Sequence, residues 1–463
     1  MNAPPLTGDS GGLFVERAHL PFVISAFVIA LLGGFSLALA LPIDALIQGV
    51  SLSWLEHAQV HGHLQAVGFA GFFIVGLSYR IAPRFTAQPL GPQALVAPSF
   101  YLLGTGVLAR FVGQPVANLE PFGTLMALSG WLELAGVACF AVIILSTTGA
   151  ARRRGDPTAL LFSAGAVWFL VAALLNAVWL TELWLDDRTV MAGDRNAAIL
   201  LPLFFGLHLS FIFGVALRTF PVFFDATRSA VRPQQAAFVL SQLGLTLAAI
   251  AAVLDVAVGP RPWLLEAAGL TLFGIALIWL TLFTGWWRSP IRLRPGSQPF
   301  ALTLQLAMAW CVIAGALLVL ASFSAVGDER AVEFATFDAV RHVIGIGVVT
   351  TTIVGMAQLI LPEFAGERLR RPPGAWRGTG LAVALAAATA LRAGARLFED
   401  TLSFEAFHWL IAVAGTLALG AIVILAYYFW RAFRGFGDII QFSQERVRNV
   451  PPGRRAPPID PRS

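Results

Sequence analysis

Lysine is missing altogether from this chain of 463 residues, and cysteine nearly so: Cys139 and Cys311 stand alone, each inside an apolar run. Two isolated cysteines exclude a disulfide framework and a cysteine-based zinc or iron–sulfur site. Charge is scarce as well. Charged residues make up 12% of the chain against 57% hydrophobic, too few to cover the surface of a soluble protein of this size. No cleavable secretory signal is recognisable ahead of the first long apolar run. The formal net charge of +5 rests on arginine alone and reads as membrane topology; no nucleic-acid partner is expected.

What the chain has instead is long apolar runs. Crossing a hydrocarbon core of about 30 Å takes roughly 20 helical residues. Twelve runs qualify, at 20–42, 57–81, 93–112, 122–148, 158–184, 198–224, 236–258, 263–287, 300–324, 335–362, 376–397 and 405–432. They are continuously apolar rather than alternating, which selects helices over a β-barrel. The expected fold is an all-α polytopic membrane protein, one transmembrane domain over residues 19–432 with the lipid bilayer as its first partner. With the N-terminus inside, 23 of the 31 arginines collect on the cytoplasmic side. The opposite loops carry Glu182, Asp186, Asp187, Asp194, Glu399 and Asp400. The positive-inside rule then places both termini in the cytoplasm of a bacterium and the helices in its inner membrane. Residues 1–18 read as a small polar tail, and 433–463 as a Pro/Arg-rich tail beside the cytoplasmic leaflet.

A repeat runs through the even-numbered helices. Helix two reads GHLQAVGFAGFFIVGLSYRIAPRF and helix ten RHVIGIGVVTTTIVGMAQLILPEF. Setting His63 against His342 brings Gly68 onto Gly347, Gly76 onto Gly355, Pro83 onto Pro362 and Phe85 onto Phe364 without a gap. In helix six, Gly214, Pro221 and Phe223 take three of the same places, and Arg218 takes that of Arg80. The prolines lie 138 and 141 residues apart, four helices each time. Three four-helix repeats, 19–148, 158–287 and 300–432, with pseudo-threefold symmetry are expected.

Seven histidines remain to be placed. His19 reads as an interfacial residue at the cytoplasmic start of helix one, and His408 as a helix-start side chain on the outer side. His57, His61, His63 and His342 open helices at the outer surface, and His208 lies near the middle of helix six. Ionisable side chains inside spans are costly and tend to mark function. His57 and His61, four apart, share a face, while His63 points almost oppositely. Seven residues being about two helical turns, His208 is expected on the same face as His63 and His342. No carboxylate stands beside these histidines within the spans. Imidazoles in an apolar shell suit haem iron and copper. The absence of C-x-x-C-H makes any haem non-covalent.

Twelve helices in three units, with histidines in the outer halves of helices two, six and ten, resemble the catalytic subunit of haem–copper oxidases and nitric oxide reductases. The ligand pattern departs from that family, which has two histidines on helix seven and an H-x-H pair on helix ten. Here residues 236–258 contain no histidine and helix ten only His342. The chain is more similar to the NnrS family, whose helix-two pattern H-x-H-E-x-x-x-G-F is met by His61, His63, Gly68 and Phe69. Its helix-ten His with Gly five residues on is met by His342 and Gly347, and its R-x-x-P-x-F by Arg218, Pro221 and Phe223. Leu64 replaces the family's Glu, and Phe364 a histidine found in many members.

The resemblance implies a b-type haem, with copper as a second cofactor, and a role in nitric oxide metabolism or resistance to nitrosative stress, as in denitrification. By the same resemblance His342 and a helix-two histidine, His63 first and His61 second, hold the haem. Arg341, Arg392 and Arg396 are candidates for its propionates, although Arg341 has Asp338 three residues away as an alternative partner. His57, His61 and His208 are left as candidate copper ligands. An electron-donor or accessory subunit is an expected partner. Two other functions stay open: a reduced oxidase-like enzyme acting on a diatomic ligand, and a secondary transporter. The apparent lack of a mid-span carboxylate and a threefold rather than twofold repeat count against transport.

Overall fold

The computed structural model describes residues 18–258, 262–288, 298–327, 334–365 and 375–448. The expected N-terminal tail up to residue 17 and the last fifteen residues, 449–463, lie outside these. Twelve helices are long and apolar enough to cross a membrane, and no strand occurs among the described residues. They are α1 (His19–Gln48), α2 (Leu52–Thr86), α3 (Gln93–Val116), α4 (Phe122–Arg153), α5 (Pro157–Leu185) and α6 (Gly193–Phe223). The second half comprises α7 (Val231–Val258), α8 (Trp263–Leu282), α9 (Phe300–Val326), α10 (Ala335–Gln358), α11 (Gly378–Leu397) and α12 (Phe404–Trp430). The last helix continues as far as Arg448, into the segment expected to be a tail.

Local chemistry sets the ends. Gly49 stops α1 with φ at +78°, a left-handed conformation that suits a residue without Cβ. Ser51 then caps α2 by accepting from the Trp54 amide at 3.1 Å, and Asp156 caps α5 by accepting from the Ala159 amide at 3.0 Å, with Pro157 in the first helical turn. Because α2 begins at Leu52 rather than near residue 57, its three histidines lie inside the helix and not at its first turn.

Burial divides the twelve helices into two classes. In α2, α6 and α10, 78%, 83% and 78% of the apolar window is buried, against 39–56% in the other nine. The outer nine present side chains such as Leu32, Ile47 and Leu320 to the lipid. One scheme of neighbours returns every four helices: α1 packs on α2, α5 on α6 and α9 on α10. In the same way α3 packs on α4, α7 on α8 and α11 on α12, while α4–α5, α8–α9 and α12–α1 close the ring.

Each inner helix widens into a π-helical stretch, at Leu64–Gly71, Pro202–His208 and Val343–Thr350, and these three stretches touch one another. Their first residues lie 138 and 141 apart, the spacing of the three prolines. Just below them, Gly76, Gly214 and Gly355 admit the neighbouring odd-numbered helix. A Cβ on these glycines would meet Phe22 of α1 at 2.5 Å, Phe162 of α5 at 2.5 Å and Leu304 of α9 at 2.8 Å.

Candidate functional site

The N-terminal half of α2 aims its histidines at different neighbours. The Nδ1–H of His61 donates to the Gly34 carbonyl of α1 at 2.8 Å. On α10, His342 does the same toward the Asp338 carbonyl one turn earlier, also at 2.8 Å. A carbonyl can only accept, so each ring carries its proton on Nδ1 and a bare lone pair on Nε2. Among the described residues neither Nε2 has a hydrogen-bond partner, and both rings feel the charges of Asp338 and Arg392.

Asp338 is the hub beside them. Arg341 donates to its Oδ1 at 2.8 Å, and from α11 Arg392 and Arg396 approach its Oδ2 at 3.0 and 3.4 Å. Arg396 also pairs with Glu399 at 2.6 Å. All three arginines singled out in the sequence therefore converge, with Arg341 on Asp338 as its local alternative required. Among the described residues, these three guanidinium groups face one buried carboxylate and one half-exposed one. The Nη1 of Arg392 is buried without a hydrogen-bond partner. Such a cradle suits an anionic ligand with carboxylate geometry.

His63 turns the other way, into a second cluster that the sequence did not reveal. Its Nε2–H donates to Oε1 of Glu133 at 2.8 Å. Arg110 of α3 donates to its Nδ1 at 3.3 Å and also to Oδ1 of Asn176 on α5. Asn176 Nδ2 closes the circle on Glu133 Oε2 at 3.3 Å. From there Arg110 Nε reaches Gln114, Gln114 reaches Gln59 and Gln59 reaches the Met191 carbonyl, at 3.0, 3.0 and 2.6 Å. The expectation of no carboxylate near the histidines is thus corrected. Glu133 arrives from α4 and Asp338 from the preceding turn of α10, and sequence proximity within a span hid the first. The available signal was a lone arginine and a lone glutamate in apolar runs, a costly placement that asks for a partner.

The histidines assigned to copper are tied to three different carbonyls. His57 Nδ1 donates to Ser53 O at 2.7 Å, His61 to Gly34 O, and the fully buried His208 uses Nε2–H toward Ala66 O at 2.9 Å. Among the described residues no group of three or more His, Cys, Asp or Glu could hold a metal ion. His208 also leaves the face of His63 and His342, because the residues before it form a π-helix and seven of them are not two α-helical turns. Its Nδ1 is buried without a partner. His19 lies 2.9 Å from Arg80, and His408 bonds its own helix at Phe404 O.

A ring of nine apolar helices around three inner ones, two of which carry His61 and His342, defines a multi-pass membrane protein of the haem–copper oxidase fold. A solved haem–copper terminal oxidase dimer shares that fold with a TM-score of 0.70 and 10% sequence identity, over 93% of this chain and 84% of the oxidase chain. No curated protein matches in sequence. Residues 14–435 match the NnrS protein family. The chain belongs to the NnrS family.

Proposed function

We propose that the protein holds one non-covalent b-type haem between His61 of α2 and His342 of α10, with its propionates on Arg392, Arg396 and Arg341. The carrying observation is the pair of bare Nε2 atoms, one on each of two inner helices, beside an arginine cluster with a buried unpartnered nitrogen. His61 takes the place expected first for His63, whose two ring nitrogens are both engaged. A bound haem would supply one-electron chemistry, and two imidazole ligands suit electron transfer better than ligand turnover. The residues' own work is to fix the tautomers, exclude water and neutralise the propionates.

Family membership supports a role in nitric oxide metabolism or nitrosative-stress resistance, in an inner membrane with both termini cytoplasmic and a partner protein as electron donor. Copper finds no comparable support in the side-chain geometry. Transport gains a buried carboxylate in Glu133, but His63 and Asn176 already bond both of its oxygens. The test is an absorption spectrum with metal analysis of the purified protein and of three variants. A low-spin haem spectrum is expected in the parent and in His63→Phe, and its loss in His61→Ala and His342→Ala. A purified parent that stays colourless although haem was supplied to the cells would overturn the reading.

A further inference from the structure

Helix α1 departs from its counterparts in a way that bears on His61. Among the described residues of the nine outer helices, only α1 contains a π-helical turn, Ala30–Gly34. By position in the ring its equivalents are α5 and α9, which run as uninterrupted α-helix over Pro157–Leu185 and Gln298–Gly327. The inner helices carry π stretches in all three units, so a turn found in one outer helix alone is not explained by the repeat. Such turns are rare and concentrate at functional sites, because each withdraws a carbonyl from the regular i to i+4 ladder.

The turn ends at Gly34, where ψ is −87°, well away from the helical value near −42°. Gly34 O is the atom that accepts from His61 Nδ1 at 2.8 Å. Close approach of the two helices makes this reach possible. A Cβ on Gly33 would collide with Leu64 Cδ1 and lie 3.3 Å from Phe111, and one on Gly34 would lie 3.4 Å from the Gln65 amide. The same chemistry recurs inside the ring, where Ala66, within the π stretch of α2, lends its carbonyl to His208 at 2.9 Å.

We propose that the π turn of α1 is the positioning element of the haem ligand: it presents the Gly34 carbonyl to Nδ1 of His61, fixes the tautomer and aims Nε2 at the iron. This rests on the haem reading above. An acceptor on the distal N–H makes an imidazole a stronger donor to a metal and orients its ring. A stronger donor favours ferric iron, so the Gly34 contact lowers the reduction potential of the haem.

The test replaces Phe35 by phenyllactic acid in the full-length protein, turning the Gly34–Phe35 amide into an ester. This weakens the Gly34 carbonyl as an acceptor, removes the Phe35 N–H that donates to Ala30 O and leaves every side chain in place, so the control ester must lose a helix N–H too. Expected are retained haem, a raised midpoint potential and shifted low-spin g-values, while the same replacement at Phe27 of α1 changes neither. Deleting Leu32, which is 72% exposed to lipid, removes the extra residue of the turn and should lower haem content. Parent-like potential and g-values in the Phe35 ester, with haem lost in His61→Ala, would overturn the positioning role alone. Full haem and an unchanged low-spin spectrum in His61→Ala would overturn the ligand assignment, and this proposal with it.

Discussion

Arg110 donates a hydrogen bond to Nδ1 of His63 across 3.3 Å, and this contact fixes the proton on the far side of the ring. A guanidinium has no acceptor, so Nδ1 must be bare and Nε2 must carry the hydrogen that meets Glu133 at 2.8 Å. His63 is then a neutral bridge between a cation and an anion that are 3% and 2% exposed. His61, two residues earlier, has the opposite tautomer because its partner is a carbonyl. One stretch of helix thus supplies two imidazoles with complementary chemistry.

The bridge predicts a stability effect separate from haem binding. Removing one charge, in Arg110→Ala or Glu133→Ala, strands the other and should cost about 3–5 kcal/mol. The double variant Arg110→Met with Glu133→Leu removes both charges and should recover most of that loss. Thermal unfolding in detergent reads the difference. Single variants as stable as the parent would show that the cluster is hydrated and not a buried pair.

The arginine cradle predicts an effect on haem affinity. Arg392→Ala removes a charged donor, worth roughly 1.5–3 kcal/mol, and so should weaken haem binding by about tenfold to a hundredfold. Arg392→Lys keeps the charge but not the planar fork and should recover only part of it. Haem titration of the depleted protein is the measurement, and parent-like affinity in Arg392→Ala would place the propionates elsewhere.

Twelve helices were legible because a bilayer demands long apolar runs, and no soluble compromise produces the same pattern. The start of α2 was not, since Ser51 caps a first turn that is followed at once by Glu56 and His57, which break the apolar signal. Gly76, Gly214 and Gly355 with their prolines marked α2, α6 and α10 as alike, but that these three are the most buried helices was not read from them. Side-chain facing failed at His208, because counting by 3.6 residues assumes an α-helix where the chain forms π turns. Glu133 and Arg110 escaped for a different reason. Each is a single charge in its own span, and the pairing with His63 crosses three helices, which no local pattern encodes.

Orientation rests on the arginine distribution. Reporters fused after Ser463 or into the Gly149–Pro157 loop should be active only in the cytoplasm, and one inserted between Asp186 and Arg195 only in the periplasm. The inverted result would put the candidate haem on the cytoplasmic side and exclude a periplasmic electron donor.

The threefold arrangement, which we propose from the recurring neighbour scheme, makes the three glycine contacts interchangeable in kind. Gly76 faces Phe22, Gly214 faces Phe162 and Gly355 faces Leu304, so the third unit shows which smaller partner that place accepts. Gly214→Ala adds a methyl group against a ring 2.5 Å from its Cβ position, and such overpacking should cost about 1–3 kcal/mol. Combining it with Phe162→Leu copies the partner of the third unit and should regain part of the loss, although the smaller side chain sacrifices some packing of its own. The same pair of changes at Gly76 and Phe22 should behave alike, because that ring approaches at the same 2.5 Å. Thermal unfolding of the four variants is the measurement. Additive losses at both places, with no rescue by leucine, would mean that the glycines serve their own helices and not a shared architecture.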